Sequence, residues 1–190
     1  SPEDLITAKT LGLAYLEENQ LEDAEAEFLK LVDWDPDEVM AYANLGIVYL
    51  RMGEFEKSET WLQKAIKMDP EDPDVRLILA KLYEMSGASD KAVEELEEIN
   101  RLSPGHVKAL YNLTELYATF SDEASQAKRH EYTNELVTQA PGNIVHRLNL
   151  IEILLEKNQN DAALAQMEEL VQIFPEFPKE AVEYYDATMA

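Results

Sequence analysis

Cysteine is absent from the 190-residue chain, which removes disulfide frameworks, thiolate nucleophiles and cysteine-held metals, and leaves reducing and oxidising compartments equally acceptable. Basic residues are scarce: 16 Lys and Arg stand against 39 Asp and Glu, a formal net charge of -23. So acidic a chain repels a phosphate backbone instead of releasing its counterions, which argues against nucleic acid and anionic membrane as partners. No apolar run approaches the roughly 18 residues of a membrane span. Direct membrane insertion is therefore not expected, and the composition suits a soluble protein of cytoplasm or periplasm. Catalytic and metal-ligating patterns are lacking too. His106, His130 and His146 fall at no metal-ligand spacing and read as residues of solvated faces or repeat junctions. Ser125-Gln126-Ala127-Lys128 and Asn112-Leu113-Thr114 match a serine–lysine and a glycosylation pattern, but motifs this short arise by chance. The acidic run Glu94 to Glu98 would point outward around a helix and not converge on a cation. No enzyme, metal or cofactor is expected.

What the chain does contain is a period. Tyr15, Tyr49, Tyr83 and Tyr117 recur every thirty-four residues, Pro36, Pro70 and Pro104 keep the same step, and Gly12 precedes Gly46 by it. A fixed period of this size is the mark of a stacked array, and the 46% hydrophobic share is ample for its core. Asn19, Gly53, Gly87 and Asn158 fall where each first helix must turn, and these residue types tolerate the left-handed conformation. The prolines close one unit and suit the first turn of the next. Gly12, Gly46 and Ala80 are expected at the close approach of the two helices in a unit, answered by Ala24, Ser58 and Ala92. Repeats are placed at 5–38, 39–72, 73–106, 107–143 and 144–177, with Ser1 and Pro2 starting the first helix. The fourth unit has Thr114 at the small position, no glycine turn, and a closing Pro141 three residues late, so its second helix is longer by about a turn or its turn is a loop. The fifth has Ile151 at the small position and Leu154 in place of the tyrosine, the weakened pattern of an end repeat. Residues 178–190, with Ala181, Tyr185 and Met189 on one stripe, read as a capping helix.

Through Leu45-Gly46, Tyr49, Ala65 and Pro70, the chain resembles the tetratricopeptide repeat family. The resemblance implies an all-α fold: an α-solenoid, wound as a right-handed superhelix, of five helix-turn-helix hairpins plus the C-terminal capping helix, in a single domain over 1–190. In that family the first helices line a concave groove. Mapped onto this chain, the groove takes Ile6, Lys9, Leu13 and Leu16 from the first unit, and Met40, Asn44, Ile47 and Arg51 from the second. Leu77 and Lys81 come from the third unit, Lys108, Tyr111, Asn112 and Glu115 from the fourth, and Leu148, Asn149 and Glu152 from the fifth. Asn44, Asn112 and Asn149 hold equivalent positions, and an asparagine can both donate to and accept from a peptide backbone. One subclass of the family clamps the C-terminal carboxylate of chaperones. Lys9 and Asn44 match it, but Leu13, Asp74 and Ile78 stand where asparagine, lysine and arginine are needed. The window from the third unit fails at Leu77 and Lys81.

The expected function is a non-enzymatic protein-interaction scaffold that holds a peptide or protein segment, cationic or of mixed charge, in the groove. The alternative is a structural spacer or self-association module of a larger multidomain protein, with the Tyr185 stripe as a homodimer contact. A start without Met and an end inside a helical pattern read as the limits of a piece of a longer chain.

Overall fold

Left-handed residues at the expected corners pair the helices of this chain into hairpins. Asn19 (φ 57°), Gly53 (77°), Gly87 (78°) and Asn158 (56°) lie in the left-handed region. The residue after each donates its N–H back five positions, as in Glu54 to the Tyr49 carbonyl (2.9 Å) and Gln159 to that of Leu154 (2.8 Å). This is the glycine-type helix stop, which satisfies otherwise orphaned carbonyls.

The computed structural model describes residues 2–175, all of whose regular structure is α-helical. In order, the helices are α1 (Pro2–Glu17), α2 (Leu21–Trp34), α3 (Val39–Met52), α4 (Phe55–Met68), α5 (Pro73–Met85), α6 (Ser89–Leu102), α7 (Val107–Tyr117), α8 (Glu123–Gln139), α9 (Ile144–Glu156) and α10 (Asn160–Ile173). They fall into two compact units, Ser1–Leu102 and Ser103–Ala190. The first stacks the hairpins α1/α2, α3/α4 and α5/α6, and the second, within its described part, α7/α8 and α9/α10. The architecture is an all-α solenoid. The capping helix expected over 178–190, its Tyr185 stripe and the Ser1 cap lie outside the described residues.

The hairpins are narrow where the small residues stand. A Cβ on Gly46 would lie 2.5 Å from Leu62, and one on Gly12 would lie 2.8 Å from the Phe28 ring. The side chains facing the glycines are thus Phe28 and Leu62, each four residues beyond the expected Ala24 and Ser58. Ser58 contributes differently, donating its hydroxyl to the Gly46 carbonyl at 2.6 Å. In α7/α8 two medium residues share the place, Thr133 lying 3.4 Å from Thr114, hydroxyl to hydroxyl, with both buried.

One detail departs from the expectations, and two decide between the alternatives left open. Pro36, Pro70 and Pro104 sit in the links before α3, α5 and α7 and not in a first helical turn; Pro73 takes that place in α5, where Asp72 accepts from the Asp74 N–H at 2.8 Å. The fourth second helix is longer, α8 having 17 residues against 14 in α2, α4, α6 and α10. Its start is fixed by Asp122, which accepts from the Ser125 N–H at 2.9 Å. His146, expected on a solvated surface or junction, is buried.

Candidate interaction surfaces

In the first unit, residues spaced three or four apart on α1, α3 and α5 form a face that is openly apolar on α1 and at the start of α3 and carries exposed Arg51 and Lys81 further along. Ile6 is 67% exposed and Met40 48%, with Leu13 also exposed and Ile47 and Leu77 half-buried. The polar residues among them are already engaged. Lys9 Nζ lies 3.4 Å from Glu38, and Lys81 Nζ lies 2.9 Å from Glu84. Arg51 donates to the Leu16 carbonyl at 2.6 Å, bridging α3 to the last turn of α1. Asn44 is only 6% exposed. Leu16, expected on the groove, is 7% exposed and belongs to the core with Phe28, Leu31 and Leu45.

In the second unit the first helices expose Val107, Tyr111, Val145 and Leu148, with Lys108 and Asn112 open beside them and Asn149 half-buried. The three equivalent asparagines therefore differ in access, Asn112 being open where Asn44 is covered. Tyr111 leans on His146, ring centroids 5.9 Å apart. Burial pushes the His146 pKa below its ordinary value. Its neighbour Arg147 is also buried and is held by α10, donating to Gln166 at 2.6 Å and to the Glu169 carboxylate. Glu115 and Glu152 are exposed. Thr114, the hydroxyl of the glycosylation pattern, is buried inside α7.

The opposite side of each hairpin stack carries a different device. Tyr49 donates its hydroxyl to Glu25 on the preceding second helix, and Tyr83 does the same to Glu59 at 2.6 Å. Burial first and the carboxylate second push the Tyr49 pKa up to about 12 and raise that of Tyr83 as well. Lys57 lies 5.0 Å from the Tyr49 ring centroid and Lys91 4.9 Å from that of Tyr83. In the second unit, α8, α9 and the start of α10 instead border a solvent-open cavity of about 660 Å³ whose wall includes His130, Asn134, Leu150, Leu154 and Gln166. Lys157 Nζ stands 3.1 Å from His130 Nδ1, and burial followed by that ammonium lowers the His130 pKa. From the sequence, Leu154 stands as a weak consensus residue and His130 as one of a solvated face or repeat junction. The pairing of these two positions was the missed signal.

Among the described residues no group of His, Asp or Glu is arranged to hold a metal, and no helix is long and apolar enough to cross a membrane.

A family model described as Tetratricopeptide repeat matches residues 15–82 and again 49–114. No curated protein sequence matches the chain. Solved structures do. A MamA protein is 18% identical, with 94% of this chain and 96% of that chain covered and a TM-score of 0.73. PilF of Pseudomonas aeruginosa is 20% identical, with 90% and 77% covered and a TM-score of 0.70. YrrB, described as a TPR protein with an unusual peptide-binding site, is 20% identical, with 93% and 90% covered and a TM-score of 0.64. At these identities the likeness is one of fold.

Proposed function

Because the chain belongs to the tetratricopeptide repeat family, whose match spans 15–114 and so 100 of its 190 residues, we propose that it is a scaffold holding a partner's peptide segment on its first-helix faces. A protein-interaction scaffold is the general role of the fold; the face and the kind of ligand are our reading. The observation that carries it is the contrast between the two helices of each hairpin. Arg51 is the single charged residue of α3, and Ile6, Leu13 and Met40 stand open on the first-helix face. The second helix α2 carries Glu22, Asp23, Glu25, Glu27 and Asp33 against Lys30. An open apolar face with few charges, beside heavily solvated backs, is the surface a protein partner covers. Scaffolds of this family are typically non-catalytic, and we read this chain the same way.

The test is selection of displayed peptides on the immobilised full-length chain, followed by affinity measurement against variants. Leu13→Glu with Met40→Glu should weaken a selected peptide about tenfold or more, whereas Leu29→Glu, equally exposed but on α2, should not. Failure to select any peptide, or equal loss with Leu29→Glu, would refute the first-helix face. A self-association reading draws on Trp34 and Met68, exposed thirty-four residues apart at the ends of α2 and α4. Light scattering that shows a strict monomer at every accessible concentration would remove it.

A further inference from the structure

The cavity of the second unit lies where a contact that recurs in the first unit has been lost. There, the tyrosines near the ends of α3 and α5 each donate to a glutamate 24 residues earlier, Tyr49 to Glu25 and Tyr83 to Glu59. A lysine eight residues later, Lys57 or Lys91, covers the ring. The register of α9 can be read from its turn: the Gln159 N–H bonds the Leu154 carbonyl at 2.8 Å, as Glu54 bonds Tyr49 at 2.9 Å and Ala88 bonds Tyr83 at 2.8 Å. Leu154 therefore holds the tyrosine's place. Counting 24 back gives His130, and eight forward gives Ala162. The register of α8 agrees. His130 lies ten residues before Ala140, whose N–H closes the helix onto Leu136, as Glu25 lies ten before Asp35 and Glu59 ten before Asp69.

Glutamate, tyrosine and lysine have thus become histidine, leucine and alanine, and all three replacements line the 660 Å³ cavity. Its volume falls in the range of about 300–1,000 Å³ typical of ligand sites. Leu150, Leu154 and Ala162 supply its apolar lining, and the rest is polar, with the Asp161 carboxylate beside the amides of Asn134, Asn160 and Gln166, the last already accepting from Arg147. The buried side-chain oxygen of Asn160 has no hydrogen-bond partner among the described residues. Side-chain amides both donate and accept, as a peptide backbone requires.

We propose that this cavity binds a phenol of tyrosine type supplied from outside the chain, its ring in the space the chain's own tyrosine fills in the first unit. His130, whose Nδ1 faces the Lys157 ammonium, donates its Nε2–H to the phenol oxygen where Glu25 and Glu59 instead accept from Tyr49 and Tyr83, and the amide wall holds what flanks the ring. The site is separate from the first-helix faces and stands whether or not they bind peptide.

Titration of the isotope-labelled 190-residue chain tests this, with a capped Gly-Tyr-Gly peptide, its phenylalanine counterpart and p-cresol as probes. The tyrosine peptide or p-cresol should shift the amide resonances around His130, Leu154 and Ala162 saturably, and the phenylalanine peptide should bind about tenfold more weakly. Leu154→Tyr, which restores the residue used in other hairpins, should abolish binding. His130→Ala should weaken the tyrosine probe while leaving the phenylalanine one unchanged, which keeps the test decisive if Leu154→Tyr disturbs folding. Tighter binding of the peptide than of p-cresol would identify a partner's tyrosine as the source, and equal binding a free phenol; both support the site. Absence of saturable shifts, shifts unaffected by Leu154→Tyr, or equal affinity for the phenylalanine peptide would overturn it.

Discussion

Gly46→Ala tests what sets the width of the α3/α4 hairpin. The added methyl would lie 2.5 Å from the Cγ and Cδ2 atoms of Leu62, a fully buried side chain. Overpacking of this kind costs about 1–3 kcal/mol. Replacing glycine by alanine inside a helix returns about 1 kcal/mol of propensity. The expected net destabilisation is therefore about 0–2 kcal/mol. Leu62→Ala alone removes a fully buried side chain and should cost about 2–5 kcal/mol. In the double variant the alanine Cβ of residue 46 occupies part of the space left by Leu62, so the first substitution no longer clashes and only its propensity gain of about 1 kcal/mol remains. The double variant should then be more stable than the sum of the two single costs by about 1–3 kcal/mol. Urea denaturation followed by helical circular dichroism, on all four proteins, measures this coupling. Additivity within about 0.5 kcal/mol would refute the idea that Leu62 against bare backbone sets the spacing.

The Tyr49 hydroxyl, with its pKa pushed from 10.0 to about 12 in the fold, contributes stability that is whole below pH 10 and is lost as pH climbs toward 12. The urea midpoint should fall over that interval by less in Tyr49→Phe than in the parent, and identical slopes would refute the Glu25 contact. Gly87→Ala, at φ 78° with open space around it, should cost about 1–2 kcal/mol from backbone strain alone. Asn158→Gly, at φ 56°, should be neutral or stabilising by thermal melting, and the reverse order would contradict the shared turn. Association with a cationic partner should slow as salt is added, because a charge of -23 steers through screened long-range attraction. Stopped-flow rates independent of ionic strength would exclude that steering.

The turns were legible in the sequence because a left-handed backbone is a requirement that one residue type can advertise. Asn19, Gly53, Gly87 and Asn158 each turned out to have positive φ. The late Pro141 announced an insertion, and its form, an α8 of 17 residues, could be settled only by the Asp122 cap. Side-chain access was less legible. Leu16 and Asn44 keep the spacing of groove residues, yet Leu16 joins the core with Phe28 and Leu45, Arg51 reaches its carbonyl, and both are covered. His146 likewise gave no sign of burial, because its cover comes from the pairing of its hairpin with Tyr111. Such facts depend on how one hairpin leans on the next, which the intervals within a repeat do not encode.

The acidity that dominates the composition is distributed by helix type, and this separates two properties that the total merges. Among the first helices α5 balances Asp74 and Glu84 with Arg76 and Lys81, and α7 balances Glu115 with Lys108. Among the second helices α6 sets Asp90, Glu94, Glu95, Glu97 and Glu98 against Lys91 and Arg101, and α10 sets Asp161, Glu168 and Glu169 against no base at all. Only α4 reverses the pattern, with Lys57, Lys64 and Lys67 against Glu56 and Glu59. The negative charge carried by the helices thus lies chiefly on the second ones, and much of the remainder lies on the links, as in Asp35, Asp37, Glu38, Asp69, Glu71 and Asp72, where water screens it. Close contact on the first-helix faces is left to apolar burial and to side chains such as Tyr111 and Asn112. If the first-helix faces bind as proposed, a partner's rate of arrival is governed by residues other than those that govern how long it stays. Neutralising Glu94 and Glu97 should change the first without the second, and truncating Leu13 or Tyr111 the second without the first.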